Sequence, residues 1–241
     1  MNPQPEGFRI ARQVLSADDI AALREAITET IDRVARALRT PFAASRPEAP
    51  LEDRLEQVAR EDAAYAFALH HAAMADTQHD PRLQALALHP RLRAAVAESV
   101  APLVPTGHVI RTRVVIPAFQ SARTHWHQDV VRPSDDGSRC GSVRVACWIP
   151  LSDVDAGSGA LEVLPGTWAG PLPHEAGGDG RFAIAEADLP DVAPKVIPLR
   201  RGDVLMLDRY VPHRALPVHH GRARWAVVVW VKAAARERPA C

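Results

Sequence analysis

The spacing of hydrophobic positions changes near residue 105, and this change divides the chain into two parts. Before that point, apolar residues recur every three or four positions, as they do on one face of an α-helix. After it, short β-branched runs alternate with glycine and proline, which is typical of short strands joined by turns. The pattern predicts a mainly β fold with flanking α-helices, in which the N-terminal helices brace a sheet.

The helical part contains three segments with this periodicity. The first begins after Ser16, a residue suited to capping a helix N-terminus, and carries apolar residues at helical spacing: Ile20, Leu23, Ile27, Ile31, Val34 and Leu38. Helical patterns follow over residues 51–75 and 81–100. The proline-flanked residues 41–50 between the first two patterns predict a loop, which could reach the functional site as a cover.

The strand-like part contains six short runs rich in β-branched residues. They are residues 109–116, 143–150, 160–164, 196–199, 204–207 and 225–231. Many short strands with loops between them favour a double-sheet jelly roll or a barrel. Residues 167–194 form a long irregular insertion, and loops of that length usually have a function or are disordered.

Composition narrows the class of protein. With 241 residues and 47% hydrophobic content, the chain can bury one substantial core, so we expect a single domain over residues 1–241, with helical support in 1–104 and the jelly roll in 105–235. Lys plus Arg equals Asp plus Glu at 29 each, which argues against a nucleic-acid or membrane partner. We expect a small-molecule substrate and a monomer or homodimer.

The cysteines and termini indicate the cellular compartment. Cys140, Cys147 and Cys241 are odd in number and match no CxxC spacing, so we expect reduced thiols. No apolar run approaches the roughly 20 residues of a membrane span, and the first residues lack the pattern of a signal peptide. These features together favour a cytoplasmic protein.

Candidate chemistry is concentrated in a metal-ligand pattern. His127 and Asp129 are two residues apart, so in a strand or at its end they point to the same side. His213, far downstream, can supply a third ligand from another strand. Two imidazoles and one carboxylate form the facial triad of non-haem Fe(II) oxygenases. Zinc also accepts this ligand set, so the pattern by itself predicts a metal site with iron as the preferred metal.

Five stretches around these residues resemble the phytanoyl-CoA dioxygenase family of Fe(II)/2-oxoglutarate oxygenases. They are HWHQD at 125–129, CWIPLSD at 147–153, GALEVLPGT at 159–167, GDVLMLD at 202–208, and PHRALP at 212–217 followed by Arg224 and Trp225. They fall in the family's order and cover residues 100–231 well. The resemblance implies a double-stranded β-helix, a jelly roll of the cupin-like type.

The resemblance also implies cofactors and a reaction. His127, Asp129 and His213 match the ligands of Fe(II), and the co-substrates are 2-oxoglutarate and O2. We expect hydroxylation of a small molecule, a natural-product or amino-acid-like metabolite, with release of succinate and CO2. Family members that chlorinate carry a small residue where this chain has Asp129, so halogenation is disfavoured. Desaturation and ring closure remain open.

Three further residues are predicted to bind the co-substrate. Arg224 follows His213 by eleven residues on an apolar strand, and a buried guanidinium requires an anion, for which a carboxylate of 2-oxoglutarate is suited. An Arg–Asp bridge closing the barrel is the alternative. Gln128 and Trp148 match family positions that line the co-substrate pocket, although Trp148 could equally belong to the core.

One family feature is missing. Many relatives carry a hydroxyl residue two places after the distal histidine, where this chain has Ala215, so one hydrogen bond to 2-oxoglutarate has to come from elsewhere or be absent. Arg111 and Arg113 are candidates because they share one face of a strand. A surface position for both is the preferred interpretation.

Arg144, His125 and His174 are candidate residues of a substrate pocket, with a place at its rim as the alternative. Such a cationic lining would suit a substrate with a carboxylate or phosphate group. Two other functions remain open on the sequence. One is a non-oxidative, metal-dependent cupin-type isomerase or hydrolase, and the other is a non-catalytic jelly roll that binds a small acid.

Overall fold

The structure, a computed structural model, describes residues 6–119, 125–129, 142–166, 170–176 and 182–234. Five helices precede most of the strands. They are α1 (Ala17–Ala37), α2 (Leu51–Glu61), α3 (Ala63–Thr77), α4 (Pro81–Leu86) and α5 (Pro90–Val100). None of the described helices combines the length and apolar content needed to cross a bilayer.

The first helix is confirmed, whereas each of the other two helical patterns is split. Ser16 caps α1 and exchanges hydrogen bonds with Asp19 in a capping box. The pattern over 51–75 breaks at Asp62, whose extended backbone ends α2 and whose carboxylate caps α3 by accepting from the Tyr65 N–H. The pattern over 81–100 breaks before Pro90, because proline has no N–H and therefore starts a helix instead of continuing one.

The strands form two main antiparallel sheets. The larger has the order β1 (Phe8–Ala11), β8 (Val204–Asp208), β3 (Ser142–Pro150), β10 (Arg224–Ala234) and β2 (Val104–Val115). The smaller has the order β7 (Lys195–Ile197), β4 (Leu161–Val163) and β9 (His213–Ala215). A short hairpin of β5 (Glu175–Ala176) and β6 (Phe182–Ala183) lies within the 167–194 insertion. Antiparallel sheets of this kind are those of a jelly roll, so the predicted fold class is confirmed.

All six predicted strands are present, with ends shifted by up to five residues. Four strands were not predicted: β1, β5, β6 and β9. β9 has only three residues, His213–Ala215, and pairs with β4 on one side. A strand this short has too few positions to show an alternating pattern, so its existence depends on its partner.

Two apolar cores lie on opposite faces of the larger sheet. The outer face packs against the helices, where Ile27, Leu55 and Leu69 belong to the same buried cluster as Cys147 and Val227. The inner face packs against the smaller sheet, where the buried residues include Ala146, Trp148, Leu161, Leu207 and Val228. Alternation along each strand therefore sends successive residues to the helices and to the space between the sheets.

The loop that we expected to cover the site packs elsewhere. Residues 41–50 include a 3-10 turn, Phe42–Ser45, which contacts α1 and α2. Arg54 of α2 is fully buried and donates to both the carbonyl and the hydroxyl of Ser45. These bonds fasten the loop to the helical layer, so it does not lie over the space between the sheets.

Candidate metal centre

Three potential metal ligands converge between the two sheets. His127 forms an isolated antiparallel bridge with His213 of β9, in which each backbone N–H donates to the carbonyl of the other residue, at 3.1 and 2.9 Å. Asp129 follows two residues after His127, and its Oδ2 lies 3.8 Å from His213 Nε2. One donor atom from each of the three residues lies within 4.8 Å of the other two.

Local hydrogen bonds set which ring nitrogen faces the cluster. His127 Nδ1 donates to the carbonyl of His125, and His213 Nδ1 donates to the carbonyl of Val211, both at 2.9 Å. A carbonyl can only accept, so each Nδ1 carries the proton and each Nε2 keeps a free lone pair. A hydrogen bond from the second nitrogen is the usual support for a metal-binding histidine.

The surroundings of His127 keep its imidazole neutral. Burial, with the neighbouring His213 as the second cause, lowers the pKa of His127 to about 4. The rings of His127 and His213 lie with their centroids 4.4 Å apart and are tilted by 51°. Two imidazoles and a carboxylate in this arrangement are suited to bind a divalent cation.

The cluster opens into a cavity of about 260 Å³ between the sheets. Apolar side chains from both sheets form its walls, and its titratable lining residues are His127, Asp129, His213, Arg113 and Arg224. Trp148, Trp230 and Ala215 also line it. Ala146 and Trp148 of β3 and Arg224 and Trp230 of β10 lie on one face of the larger sheet by strand alternation and register, and all four line the cavity.

Arg224 is the buried cation of this cavity. It is 4% exposed, and its guanidinium lies 5.2 Å from the centroid of the Trp148 ring. Its Nε is buried without a hydrogen-bond partner, and no carboxylate among the residues that the structure describes pairs with it. Burial lowers its pKa to about 10, which still leaves it charged at neutral pH. An uncompensated buried guanidinium is costly, so the geometry calls for an anionic ligand beside Trp148.

The neighbouring arginine, Arg222, is placed differently. It is exposed and pairs with Asp53. Both Arg222 and Arg224 border a second cavity of about 470 Å³ on the far side of Arg224. Arg24 in that cavity is already paired with Glu52. Arg24 and Arg222 of this second cavity therefore each pair with a carboxylate, whereas Arg224 pairs with none among the described residues.

Gln128 is buried but does not line the metal-site cavity. Its side chain donates to the carbonyl of Tyr210 at 2.6 Å and accepts from the Leu172 N–H at 2.7 Å. Its own N–H donates to His174 Nε2 at 3.1 Å. Both polar ends of the amide are thus occupied by backbone. Gln128 and His174 hold the segment around Leu172 against the segment that carries His127 and Asp129, and so help to position these two residues.

The predicted substrate-pocket residues also lie outside the cavity lining. His125 is exposed, and its backbone carbonyl makes the contact with His127. Arg144 shares the inner face of β3 with Trp148, and its Nε is buried without a hydrogen bond, but it does not border the cavity. Arg113, for which a surface position was the preferred interpretation, is exposed and also lines the cavity. The sequence contained one indication of this position, because Arg113 lies two residues from Arg111 in a run rich in β-branched residues.

Most of this chain also matches the model of a known protein family. The family model described as phytanoyl-CoA dioxygenase (PhyH) matches residues 4–226. A search of curated proteins gave no match.

Solved structures share the fold at low sequence identity. The non-heme monooxygenase ThoJ in its apo form is 18% identical, with a TM-score of 0.60 over 95% of this chain and 75% of that one. EvdO2 from Micromonospora carbonacea var. aurantiaca, complexed with 2-oxoglutarate, is 23% identical, with a TM-score of 0.55 over 98% and 90%. The epimerase SnoN, in complex with Fe3+, alpha ketoglutarate and nogalamycin RO, is 20% identical, with a TM-score of 0.53 over 97% and 83%.

Proposed function

The chain belongs to the phytanoyl-CoA dioxygenase family, and from that premise we propose that it is an Fe(II)- and 2-oxoglutarate-dependent oxygenase that hydroxylates a small molecule. The observation that carries the proposal is the convergence of His127, Asp129 and His213 on one cavity that also contains the unpaired Arg224. The first three supply the ligands of the metal. The fourth supplies the cation that the co-substrate requires.

The donor set fits ferrous iron. Two imidazole nitrogens and one carboxylate oxygen match the facial triad, which leaves the remaining positions of an octahedron for other ligands. Donors bound to one ion at about 2.1 Å lie about 3 Å apart, so the present separations of up to 4.8 Å close with modest side-chain rotations. The hydrogen bonds from Nδ1 to backbone carbonyls already hold both rings in the required tautomer.

Arg224 and Trp148 fit the co-substrate. A guanidinium binds a carboxylate through two parallel N–H donors, and such pairs are stronger when water is excluded. Trp148 lies against the guanidinium and restricts its plane. Ala215 lines the same cavity without offering a hydroxyl, so Arg224 is the donor that we assign to the carboxylate remote from the metal.

Iron and 2-oxoglutarate, when bound, supply the oxidising chemistry, in which O2 is consumed and succinate and CO2 are released. The residues of this chain bind and orient the reactants. His127, Asp129 and His213 would hold the metal, and Arg224 would bind the carboxylate of the co-substrate that is remote from it. The apolar walls formed by Leu161, Leu207 and Val228 exclude water from the reacting groups.

For the substrate, we propose a natural-product or amino-acid-like metabolite. The cavity, at about 260 Å³, lies just below the usual range for ligand pockets, roughly 300–1,000 Å³. That volume suits a compact molecule better than a long acyl chain. Since SnoN, which has a similar fold, is named an epimerase, analysis of the product has to distinguish hydroxylation from epimerisation, desaturation and ring closure.

The proposed activity can be tested in two steps. Adding Fe(II) and 2-oxoglutarate to the protein under anaerobic conditions should produce a visible charge-transfer band, because 2-oxoglutarate then binds to the metal. Admitting air should consume O2 and release succinate. Without the band, a non-oxidative cupin-type enzyme or a non-catalytic acid-binding protein would be the better description, and a band without succinate would favour the second of these.

We expect Gly159→Ala to disturb Arg224. Gly159 has φ +81°, and a Cβ there would lie 2.9 Å from Val218 Cγ2 and 3.2 Å from Arg224 Nε. The backbone strain alone should cost about 1–3 kcal/mol of unfolding free energy. Displacement of the guanidinium should also raise the Kd for 2-oxoglutarate, which titration of the charge-transfer band measures.

Gly107→Ala is the matched control for this substitution. Gly107 lies on β2, and a Cβ there would meet nothing within 4 Å. It should leave 2-oxoglutarate affinity unchanged. If Gly159→Ala lowered stability but left the affinity for 2-oxoglutarate intact, the glycine would serve the turn alone and our account of its contact with Arg224 would be wrong.

A further inference from the structure

Arg113 is a second cation in the metal-site cavity, and the proposed function leaves it without a role. It lies on β2 opposite Ala226 of β10, and Val115 lies opposite Arg224 in the same register. Both arginines therefore project from the inner face of the larger sheet, and both line the cavity. They differ in exposure, since Arg224 is buried whereas Arg113 is exposed.

The two guanidiniums lie against different tryptophans. That of Arg224 lies over Trp148, whereas that of Arg113 lies 5.2 Å from the ring centroid of Trp230. Trp148 pairs with Val228 and Trp230 pairs with Ala146, so the two indoles are diagonal neighbours on adjacent strands of the inner face. Each guanidinium is thus held against its own indole, and Arg113 is a cation separate from the one assigned to 2-oxoglutarate.

Arg113 forms no ion pair among the described residues, although Asp129 interacts with it electrostatically. Its one hydrogen bond within the described part of the chain is a long contact of 3.5 Å to the carbonyl of Thr112, and no described carboxylate forms an ion pair with it. The carboxylate that shares the cavity with it is Asp129, which we assign to the metal. Asp129 will then be occupied, so its charge is not free to neutralise Arg113.

A count of the charges in the site with Fe(II) and 2-oxoglutarate bound also leaves Arg113 uncompensated. Asp129 and the two carboxylates of 2-oxoglutarate together balance the charges of Fe(II) and Arg224. Among the ionisable residues that line the cavity, Arg113 is the cation left over. A third ligand that carries a negative charge would compensate it, and complementary charge of this kind favours one class of ligand over its neutral counterparts.

From these observations we propose that Arg113 is a specificity-determining residue that binds an anionic group of the substrate, a carboxylate or a phosphate, beside Trp230. This inference rests on the proposed function. The apolar walls beside Trp230, which include Ala146, Leu207 and Val228, receive the body of the substrate. The anion would direct that body toward His127, Asp129 and His213, which line the same cavity.

The test uses the full-length protein loaded with Fe(II) and 2-oxoglutarate under anaerobic conditions. The probes are benzoate and benzamide, which share size and shape but differ in charge, and phenyl phosphate, which distinguishes the two oxyanions. Calorimetry measures the affinity of each probe. We expect the wild-type protein to bind benzoate or phenyl phosphate about tenfold more tightly than benzamide, the effect of about one charge-assisted pair of hydrogen bonds.

Arg113→Gln should remove this preference by weakening the anionic probe about tenfold, with benzamide and the charge-transfer band unchanged. Arg111→Gln is the matched control, because Arg111 lies on the same face of β2 but does not line the cavity. It should keep the preference. Arg113→Lys should keep part of it, since charge remains while the planar fork is lost.

Three results would overturn the assignment. One is a wild-type protein with no preference for the anionic probes. Another is a loss of preference in Arg111→Gln equal to that in Arg113→Gln, which would indicate a general positive field. The third is a weaker 2-oxoglutarate or Fe(II) affinity in Arg113→Gln, which would make Arg113 a co-substrate residue or a support for Asp129. Failure of the proposed function is a separate result, because the charge-transfer band is recorded before any probe is added.

Discussion

Alanine at His127 or at Asp129 is expected to abolish the charge-transfer band and all succinate formation. Each residue supplies one of the three donors that lie within 4.8 Å of one another. With two donors left, the metal loses a covalent bond and its fixed orientation, and the affinity for Fe(II) should fall by two orders of magnitude or more, roughly 3 kcal/mol. Metal titration followed by anaerobic addition of 2-oxoglutarate measures both effects.

His125→Ala provides the control for this prediction. His125 is only two residues from His127, and its contact with the ligand is made by its backbone carbonyl, which alanine retains. The variant should bind Fe(II) and 2-oxoglutarate as the wild-type protein does. A full band in His127→Ala, or loss of the band in His125→Ala without loss of folding, would contradict the assignment of ligands.

Arg224→Ala is expected to raise the Kd for 2-oxoglutarate about 100-fold while Fe(II) binding persists. Truncating one partner of a buried, hydrogen-bonded charge pair costs about 2–5 kcal/mol, and a factor of 100 corresponds to about 3 kcal/mol. Arg224→Lys should also weaken binding, because an ammonium group cannot form the bidentate fork. Titration of the charge-transfer band with 2-oxoglutarate gives the Kd of each variant.

Arg222→Ala separates the role of Arg224 from a loss of nearby charge. Arg222 is two residues away, exposed and paired with Asp53, so its removal should leave the Kd for 2-oxoglutarate unchanged. Circular dichroism and thermal unfolding establish that each variant is folded. If folded Arg224→Ala bound 2-oxoglutarate with wild-type affinity, another residue would have to hold the co-substrate.

The helical layer shows which features of the fold can be predicted from local sequence patterns and which cannot. The apolar spacing that begins after Ser16 predicted α1 almost to the residue, because a capped amphipathic helix carries its own signals. The break at Asp62 was not predicted. The periodicity of 51–75 runs through it, and the preference of an aspartate for a capping position over a helical one is decided by the packing of α2 and α3.

The candidate site was predictable where the chemistry of a residue is distinctive. His127, Asp129, His213 and Arg224 could be selected from the sequence, and the structure brings all four to one cavity. Gln128 could not be placed in this way. Its amide can serve a ligand or a backbone equally well, and here both ends meet backbone groups of Tyr210 and Leu172.

The sequence by itself predicted a helical part followed by a strand-rich part and the class of fold, because these follow from spacing along one chain. It also indicated the candidate ligands, through side-chain chemistry together with the family resemblance. Only the tertiary structure decided which nitrogen of each histidine faces the cluster. The acceptors are carbonyls of His125 and Val211, which every residue possesses and which therefore leave no trace in the sequence.

Only the tertiary structure, likewise, separated Arg113 from Arg111. Both have the same parity on β2, but pairing with β10 places one opposite Ala226 and the other opposite Val228. Of the two, only Arg113 lines the cavity, with its guanidinium against the Trp230 ring. Which residue lies opposite another is set by strand register across distant parts of the chain, and a pattern along a single strand does not contain it.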